Sequence, residues 1–344
     1  MRGESEKANR IYEPDDTDSD ARGLWRGASR FVPLLSPIGM PSRSDRIEGA
    51  LWGLLIGDAL GVPYEFTPPE AMPPLAQIEF DPPAGFPRAH RDTPPGTWSD
   101  DGAQALALLA SLQERGRLDV DDLGRRFVAW LSSGYMAVDD DVFDCGVQTR
   151  AALESIRSGI PAPEAGASGE FDNGNGSLMR VLPLALWHTG TDADLVADAA
   201  AQSLPTHGHP RAWVCCALYC LWARHILREA PGDGWNAAVA SLHEIYAPGS
   251  PEARELDIVL AFDSPSGSGY VVDTLHSARA CLARGSYESV VKAAVAMGHD
   301  TDTTACVAGG LAGLRDGVDA IPSRWRQRLR GQSLVEPLLS RLLA

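Results

Sequence analysis

Four glycines, at positions 49, 53, 57 and 61 of this 344-residue chain, constrain its fold more than any other feature. They recur every fourth residue among Leu51, Leu54, Leu55, Ile56 and Leu60, so they line one face of a single helix. Each glycine weakens a helix by roughly 0.8–1 kcal/mol relative to alanine. Four together need a reason, and close approach of another helix supplies it. Residues 46–60 are therefore predicted to form a central, buried helix, opened by a capping box of Asp45 and Glu48 and stopped at Pro63. That helix carries two carboxylates, Asp58 and Glu65, to its end. A second predicted helix, 303–314, is built almost wholly of small residues, among them Ala305, Ala308, Gly309, Gly310, Ala312 and Gly313.

Helical periodicity accounts for most of the remaining chain, and strand signals are nearly absent. The spacing predicts helices over 122–131, 148–158, 211–227, 235–246, 252–262, 287–297 and 334–343. The expected fold is all-α: a compact single-domain helical bundle over 45–344, with a metal site at its centre. Residues 1–44, polar and acidic, are expected to be a flexible extension. Residues 67–95 hold nine prolines, and a loop of that length is often a functional lid.

With 44% hydrophobic residues a sizeable core is available. The net charge of −16, without any Lys/Arg stripe, argues against nucleic acid as the main partner. The six cysteines include the adjacent pair Cys215 and Cys216, a poor disulfide pattern, and are expected to be reduced and buried. No secretory signal and no eighteen-residue apolar run is found, so no membrane span and a cytoplasmic monomer are expected.

The chemistry is concentrated in two stretches. Trp98-Ser99-Asp100-Asp101-Gly102 and Gly298-His299-Asp300-Thr301-Asp302-Thr303 each place hydroxyls and paired carboxylates at a helix start. Each is readable locally as an acidic N-cap, by Ser99 in the first and by Asp302 or Thr303 in the second. Their recurrence points further. Carboxylates and hydroxyls without a His or Cys suit Mg²⁺ or Mn²⁺ rather than zinc. Four carboxylates brought together without a cation would repel one another. Two cations sharing ligands about 3.5–4 Å apart would relieve that. The turn Asp172-Asn173-Gly174-Asn175-Gly176-Ser177 offers backbone N–H groups to an anion, or is a plain turn. His207 stands in a Gly/Pro helix junction, and Tyr270, after Gly267-Ser268-Gly269, is placed to stack on a flat group. The run Asp139-Asp140-Asp141 reads as a solvated face.

In order, Gly-Asp-Ala-Leu-Gly with Glu65 (57–65), Trp-Ser-Asp-Asp (98–101), Gly-Asn-Gly-Ser-Leu-Met-Arg (174–180), Thr-His (206–207), Gly-Ser-Gly-Tyr (267–270) and Asp-Thr-Asp-Thr (300–303) resemble the motifs of the ADP-ribosylglycohydrolases. The resemblance covers roughly residues 46–320. It implies an all-α fold with two Mg²⁺ or Mn²⁺ ions that cleaves the bond between ADP-ribose and a modified side chain, arginine first. Conjugates through serine, nucleic acid or an acetyl group are the alternatives, as is an ADP-ribose binder without catalysis. By the same resemblance Ser99, Asp100, Asp101, Asp300, Asp302 and Thr303 are the metal ligands. Asn175, Gly176 and Ser177 hold the phosphate–ribose portion, and His207 and Tyr270 line the cleft. Glu65 lies near the metals, and Glu65, Asp100 or Asp101 takes the proton of the attacking water. The partner is an ADP-ribosylated protein or a small ADP-ribose conjugate. The chain departs from the pattern at Ser99, where Thr is more usual, and at Gly102, where a hydroxyl residue is common.

Overall fold

The computed structural model describes residues 40–231 and 234–344. Residues 1–39, most of the expected extension, lie outside them. Fifteen α-helices follow in order: α1 (Arg43–Gly61), α2 (Asp100–Arg115), α3 (Val120–Ser133), α4 (Val147–Arg157), α5 (Ala162–Ala165), α6 (Leu182–Trp187), α7 (Asp192–Ala201), α8 (Pro210–Leu227), α9 (Gly234–Ile245), α10 (Pro251–Leu260), α11 (Val271–Leu282), α12 (Tyr287–Val295), α13 (Thr301–Asp316), α14 (Ser323–Arg328) and α15 (Gln332–Leu343). Among the described residues no pairing of strands goes beyond two isolated β-bridges, Ala167 with His207 and Gly174 with Tyr270. The fold is an all-α single domain, as the periodicity predicts. Among the described residues no helix is long and apolar enough to cross a membrane.

The glycine stripe of α1 packs against the small-residue face of α13, the most extensive helix pair in the molecule. A Cβ on Gly49 would fall 2.4 Å from the carbonyl oxygen of Gly313, on Gly53 2.5 Å from that of Gly309, and on Gly57 2.1 Å from that of Ala305. On Gly61 it would fall 2.3 Å from the Cα of Asp302. Rising numbers on one helix meet falling numbers on the other, so the two run antiparallel with their backbones nearly touching. The C-terminus of α1 and the N-terminus of α13 are thereby pressed together at one end of the pair. There Thr301 Oγ1 donates to the Gly61 carbonyl at 2.8 Å.

Around this pair α8 is buried on nearly every side, and α11 and α12 cover the other faces of α13. Cys215, Cys216, Cys220, Cys281 and Cys306 are buried free thiols in this core, and only Cys145 is partly exposed.

The start of the first helix differs from expectation. α1 begins at Arg43, capped by Ser42 rather than by Asp45. Ser42 Oγ accepts from Asp45 N at 3.2 Å, and Asp45 Oδ2 accepts from Ser42 N at 2.9 Å. The reciprocal box therefore closes three residues earlier, with Asp45 in the position usually held by Glu or Gln. Ser42→Ala should cost about 1 kcal/mol, read as a lower denaturant midpoint with an unchanged slope.

Candidate metal centre and substrate cleft

The site is assembled from helix ends. Asp58, in the last turn of α1, accepts from Ser99 N at 2.9 Å and from Gly102 N at 2.8 Å. It thus satisfies orphan N–H groups at the start of α2 from another helix. Ser99 Oγ accepts from Asp101 N at 3.3 Å and is the local cap. Asp58 has no cation beside it, and burial pushes its carboxyl up to about 7. Gly102 has a packing reason. A Cβ there would lie 2.7 Å from Trp98 Cγ and 2.8 Å from Leu55 Cδ2, so no hydroxyl residue fits.

The start of α13 is held by a different set of loops. Phe66 N donates to His299 O at 2.7 Å, and His299 N donates to Thr67 O at 2.8 Å. Asp300 N donates to Gly267 O at 3.0 Å. The Asn-Gly turn joins the same cluster: Asn175 N donates to Gly269 O at 3.1 Å, and Val271 N donates to Asn173 O at 3.0 Å. Asn175 Nδ2 then reaches Asp300 Oδ2 at 2.8 Å and Thr274 Oγ1 at 2.9 Å.

Here the structure overturns the capping expectation. The N-cap of α13 is Asp300, and Asp302 and Thr303 lie inside the first turn. Their oxygens are therefore not committed to backbone N–H groups. Thr303 Oγ1 donates to Asp101 Oδ1 at 3.3 Å, joining the two acidic stretches directly. Asp302 is fully buried, and neither of its carboxylate oxygens has a hydrogen-bond partner; Asp101 Oδ2 has none either. Glu65, Asp300 and Asp302 offer oxygens within 4.8 Å of one another.

Burial, and then the charges of neighbouring carboxylates (Asp144 for Asp100, Asp58 for Asp101, Glu65 for Asp302), push Asp100, Asp101 and Asp302 well above the usual carboxylate range. Burial also raises Asp300, against the pull of the Asn175 amide. Glu65 is pushed up to about 11, by burial first and then by Asp144 and Asp300. A buried carboxylate without a donor is costly unless a cation meets it. All the free donors here are hard oxygens, which fits Mg²⁺ or Mn²⁺.

A cleft of about 300 Å³ opens over these groups. Glu65, Asp100, Asp101, Asp300 and Thr303 line it together with Asn175, Gly176 and His207. No Lys or Arg is among its lining residues.

Comparison with known proteins decides what this arrangement belongs to. The ADP-ribosylglycohydrolase family model matches residues 40–344. The chain belongs to the ADP-ribosylglycohydrolase family. Membership makes it a glycohydrolase. It is 31% identical over 307 residues to the ADP-ribosylarginine hydrolase Tri1 of Pseudomonas putida (strain GB-1), covering 87% of this chain and 78% of that one. It is 31% identical over 298 residues to the ADP-ribosyl-[dinitrogen reductase] glycohydrolase of Rhodospirillum rubrum, covering 84% and 92%. A solved structure described as an ADP-ribosylglycohydrolase-related protein complex aligns with a TM-score of 0.70 at 32% identity, over 88% of this chain and 98% of that one.

Most of the positions expected from the ADP-ribosylglycohydrolase motifs meet at the cleft, with Asp302 buried beside it and Ser99 at the cap of α2. Two do not face it. Ser177 turns into the core, where its hydroxyl accepts from Ser203 Oγ at 2.8 Å and lies 3.5 Å from Cys216 Sγ. Tyr270 is outside the cleft lining, its hydroxyl 3.4 Å from Arg211 Nη1 and its ring against Phe262. His207 is buried with Nδ1 2.8 Å from Thr206 Oγ1, and burial pushes it down to about 3, so it is neutral near pH 7. Gly174 and Gly176 leave room for its ring: a Cβ on Gly176 would lie 2.7 Å from His207 Cε1.

The sequence reading passed over two groups at the cleft. Asp144 lines it, and with Glu65 and His90 offers ligand atoms within 4.8 Å. The neighbouring Asp139–Asp141 run, which is exposed, drew attention away from it. His90 comes from the proline-rich loop and brings Nε2 to 2.6 Å from Glu65 Oε2. Nothing in the sequence marks a lone histidine in such a loop. The only usable signal was the length of the loop itself.

Proposed function

We propose that the chain hydrolyses the bond between ADP-ribose and an arginine side chain of a modified protein, using two Mg²⁺ or Mn²⁺ ions. The observation that carries the metal reading is Asp302, fully buried with both oxygens unpartnered beside Asp300 and Glu65. Ser99, Asp100, Asp101, Asp300, Asp302 and Thr303 would hold the ions. When bound, such ions supply Lewis acidity and charge neutralisation for ribose hydroxyls and water.

The chain's own residues do the rest. Asn175 fixes Asp300 by a hydrogen bond, its Nδ2 donating to Oδ2 at 2.8 Å, and neutral His207 offers a hydrogen bond without a charge. Glu65 faces the cleft with His90 on one oxygen, so it is the group placed to move a proton. Water adds at the anomeric carbon while the bond to the guanidino nitrogen breaks. With bound cations offsetting its burial and its acidic neighbours, Glu65 would be a carboxylate able to take the water's proton, and the guanidine leaves carrying a proton of its own. A transition state with oxocarbenium character suits an acidic cleft without Lys or Arg. An arginine linkage is supported by the relative named as an ADP-ribosylarginine hydrolase, and a protein substrate by the one named for dinitrogen reductase.

The expected result is release of free ADP-ribose from an arginine-ADP-ribosylated protein with Mg²⁺ or Mn²⁺, and none with chelator. Binding of ADP-ribose without release from arginine would overturn the arginine assignment and direct the assay to serine-, nucleic-acid- and acetyl-linked conjugates.

A further inference from the structure

Arg180 ends the Gly-Asn-Gly-Ser-Leu-Met-Arg motif, yet it reaches neither the cleft nor any carboxylate directly. It is fully buried. Its Nε donates to Gln202 Oε1 at 3.1 Å and its Nη2 to the Gln202 carbonyl at 2.9 Å. Its guanidinium carbon lies 4.3 Å from the ring centroid of Phe127. Its Nη1 donates to Gln104 Oε1 at 2.8 Å. A buried guanidinium bonded only to neutral groups is costly, and burial pulls it down to about 9.

The cost has a purpose one residue further on. Arginine donates and cannot accept. The Gln104 amide therefore has only one usable orientation, with its oxygen toward Arg180. Its Nε2 must then face Asp100, and it donates to Asp100 Oδ2 at 3.1 Å. That bond requires an acceptor at Oδ2, holds the carboxylate at one rotation and leaves Oδ1 for the cleft that Asp100 lines. The chain Arg180–Gln104–Asp100 is buried throughout.

We propose that Arg180 is a positioning residue for the carboxylate cluster, acting through the Gln104 amide to hold the Asp100 carboxyl oriented for a divalent cation. The inference rests on the metal reading of the site given above. Partners that orient a ligand in this way are typically worth about 10–100-fold in metal affinity.

The test is calorimetric titration of the metal-free, full-length chain with Mn²⁺, with melting temperature and helical content measured alongside. Wild type is expected to bind. Gln104→Met, close in volume but unable to make either bond, should keep helical content and bind Mn²⁺ about 10-fold or more weakly. Arg180→Met should weaken binding by a similar factor. The double variant should be no weaker than the worse single one, because both break the same chain. Should Arg180→Met fail to fold, Gln104→Met and Arg180→Lys carry the test. If wild type binds Mn²⁺ and the folded variants bind it within about threefold of wild type, the positioning role is overturned, whatever their melting temperatures. Additive losses in the double variant would overturn the relay. Failure of wild type to bind Mn²⁺ would instead remove the metal reading itself.

Discussion

Asp302→Asn will abolish turnover, by on the order of 10³-fold or more, and with it Mn²⁺ binding. Both oxygens of Asp302 are buried without a partner, and burial with the neighbouring Glu65 charge pushes its carboxyl well above the usual range, so its presence costs the apo fold energy. Its contact with α1 is made by backbone, the Asp302 Cα against Gly61. The substitution therefore leaves packing alone and removes only charge. In the metal-free protein it should raise the melting temperature, since one buried mutually repelling carboxylate is gone. With saturating Mn²⁺ the order should reverse, because only wild type gains the stability of the bound ion. Turnover by the variant within about tenfold of wild type would remove Asp302 from the ligand set. Such a small loss is typical of a group that only helps to orient a ligand.

Gly57→Ala will destabilise the protein by about 3 kcal/mol, although alanine is the better helix former. The propensity gain is roughly 1 kcal/mol. Against it stands a Cβ placed 2.1 Å from the Ala305 carbonyl oxygen and 2.7 Å from its carbon. Both are backbone atoms of a buried helix and cannot rotate away. Relief requires α1 and α13 to separate along their whole contact, and overpacking of that kind outweighs propensity. The expected reading is a fall in melting temperature of roughly 5–10 °C. Gly146→Ala is the control: its nearest neighbour would be 3.9 Å away, and it should shift the melting temperature little. Because α1 and α13 meet at the metal centre, Gly57→Ala should also weaken Mn²⁺ binding, which a helix remote from the site would not do.

Much of this was legible in the chain. Two acidic stretches with hydroxyls and no nitrogen or sulfur ligand indicate a hard cation before any coordinates. The spacing of Gly49, Gly53, Gly57 and Gly61 indicates a buried helix with a close neighbour. Side-chain direction was not legible. In Asn175-Gly176-Ser177, adjacent residues of one turn diverge, Asn175 to Asp300 and Ser177 to the core behind it. Tyr270 follows a glycine-rich loop as expected, yet its ring packs on Phe262 outside the cleft lining. Asp144 and His90 were hidden for the opposite reason. Each is an ordinary polar residue in a loop, and only the fold places it beside Glu65.

By itself the sequence determined the helical class, the buried glycine helix and the family. Those follow from residue type and local spacing, which act over a few residues and survive without knowledge of partners. The tertiary structure decided that the glycine stripe meets α13, that Asp300 occupies the N-cap position of that helix with Asp302 inside its first turn, and that Arg180 reaches Asp100 through Gln104. Each of these joins residues far apart in the chain, and the energy that selects the pairing is contact and burial, which no local pattern encodes.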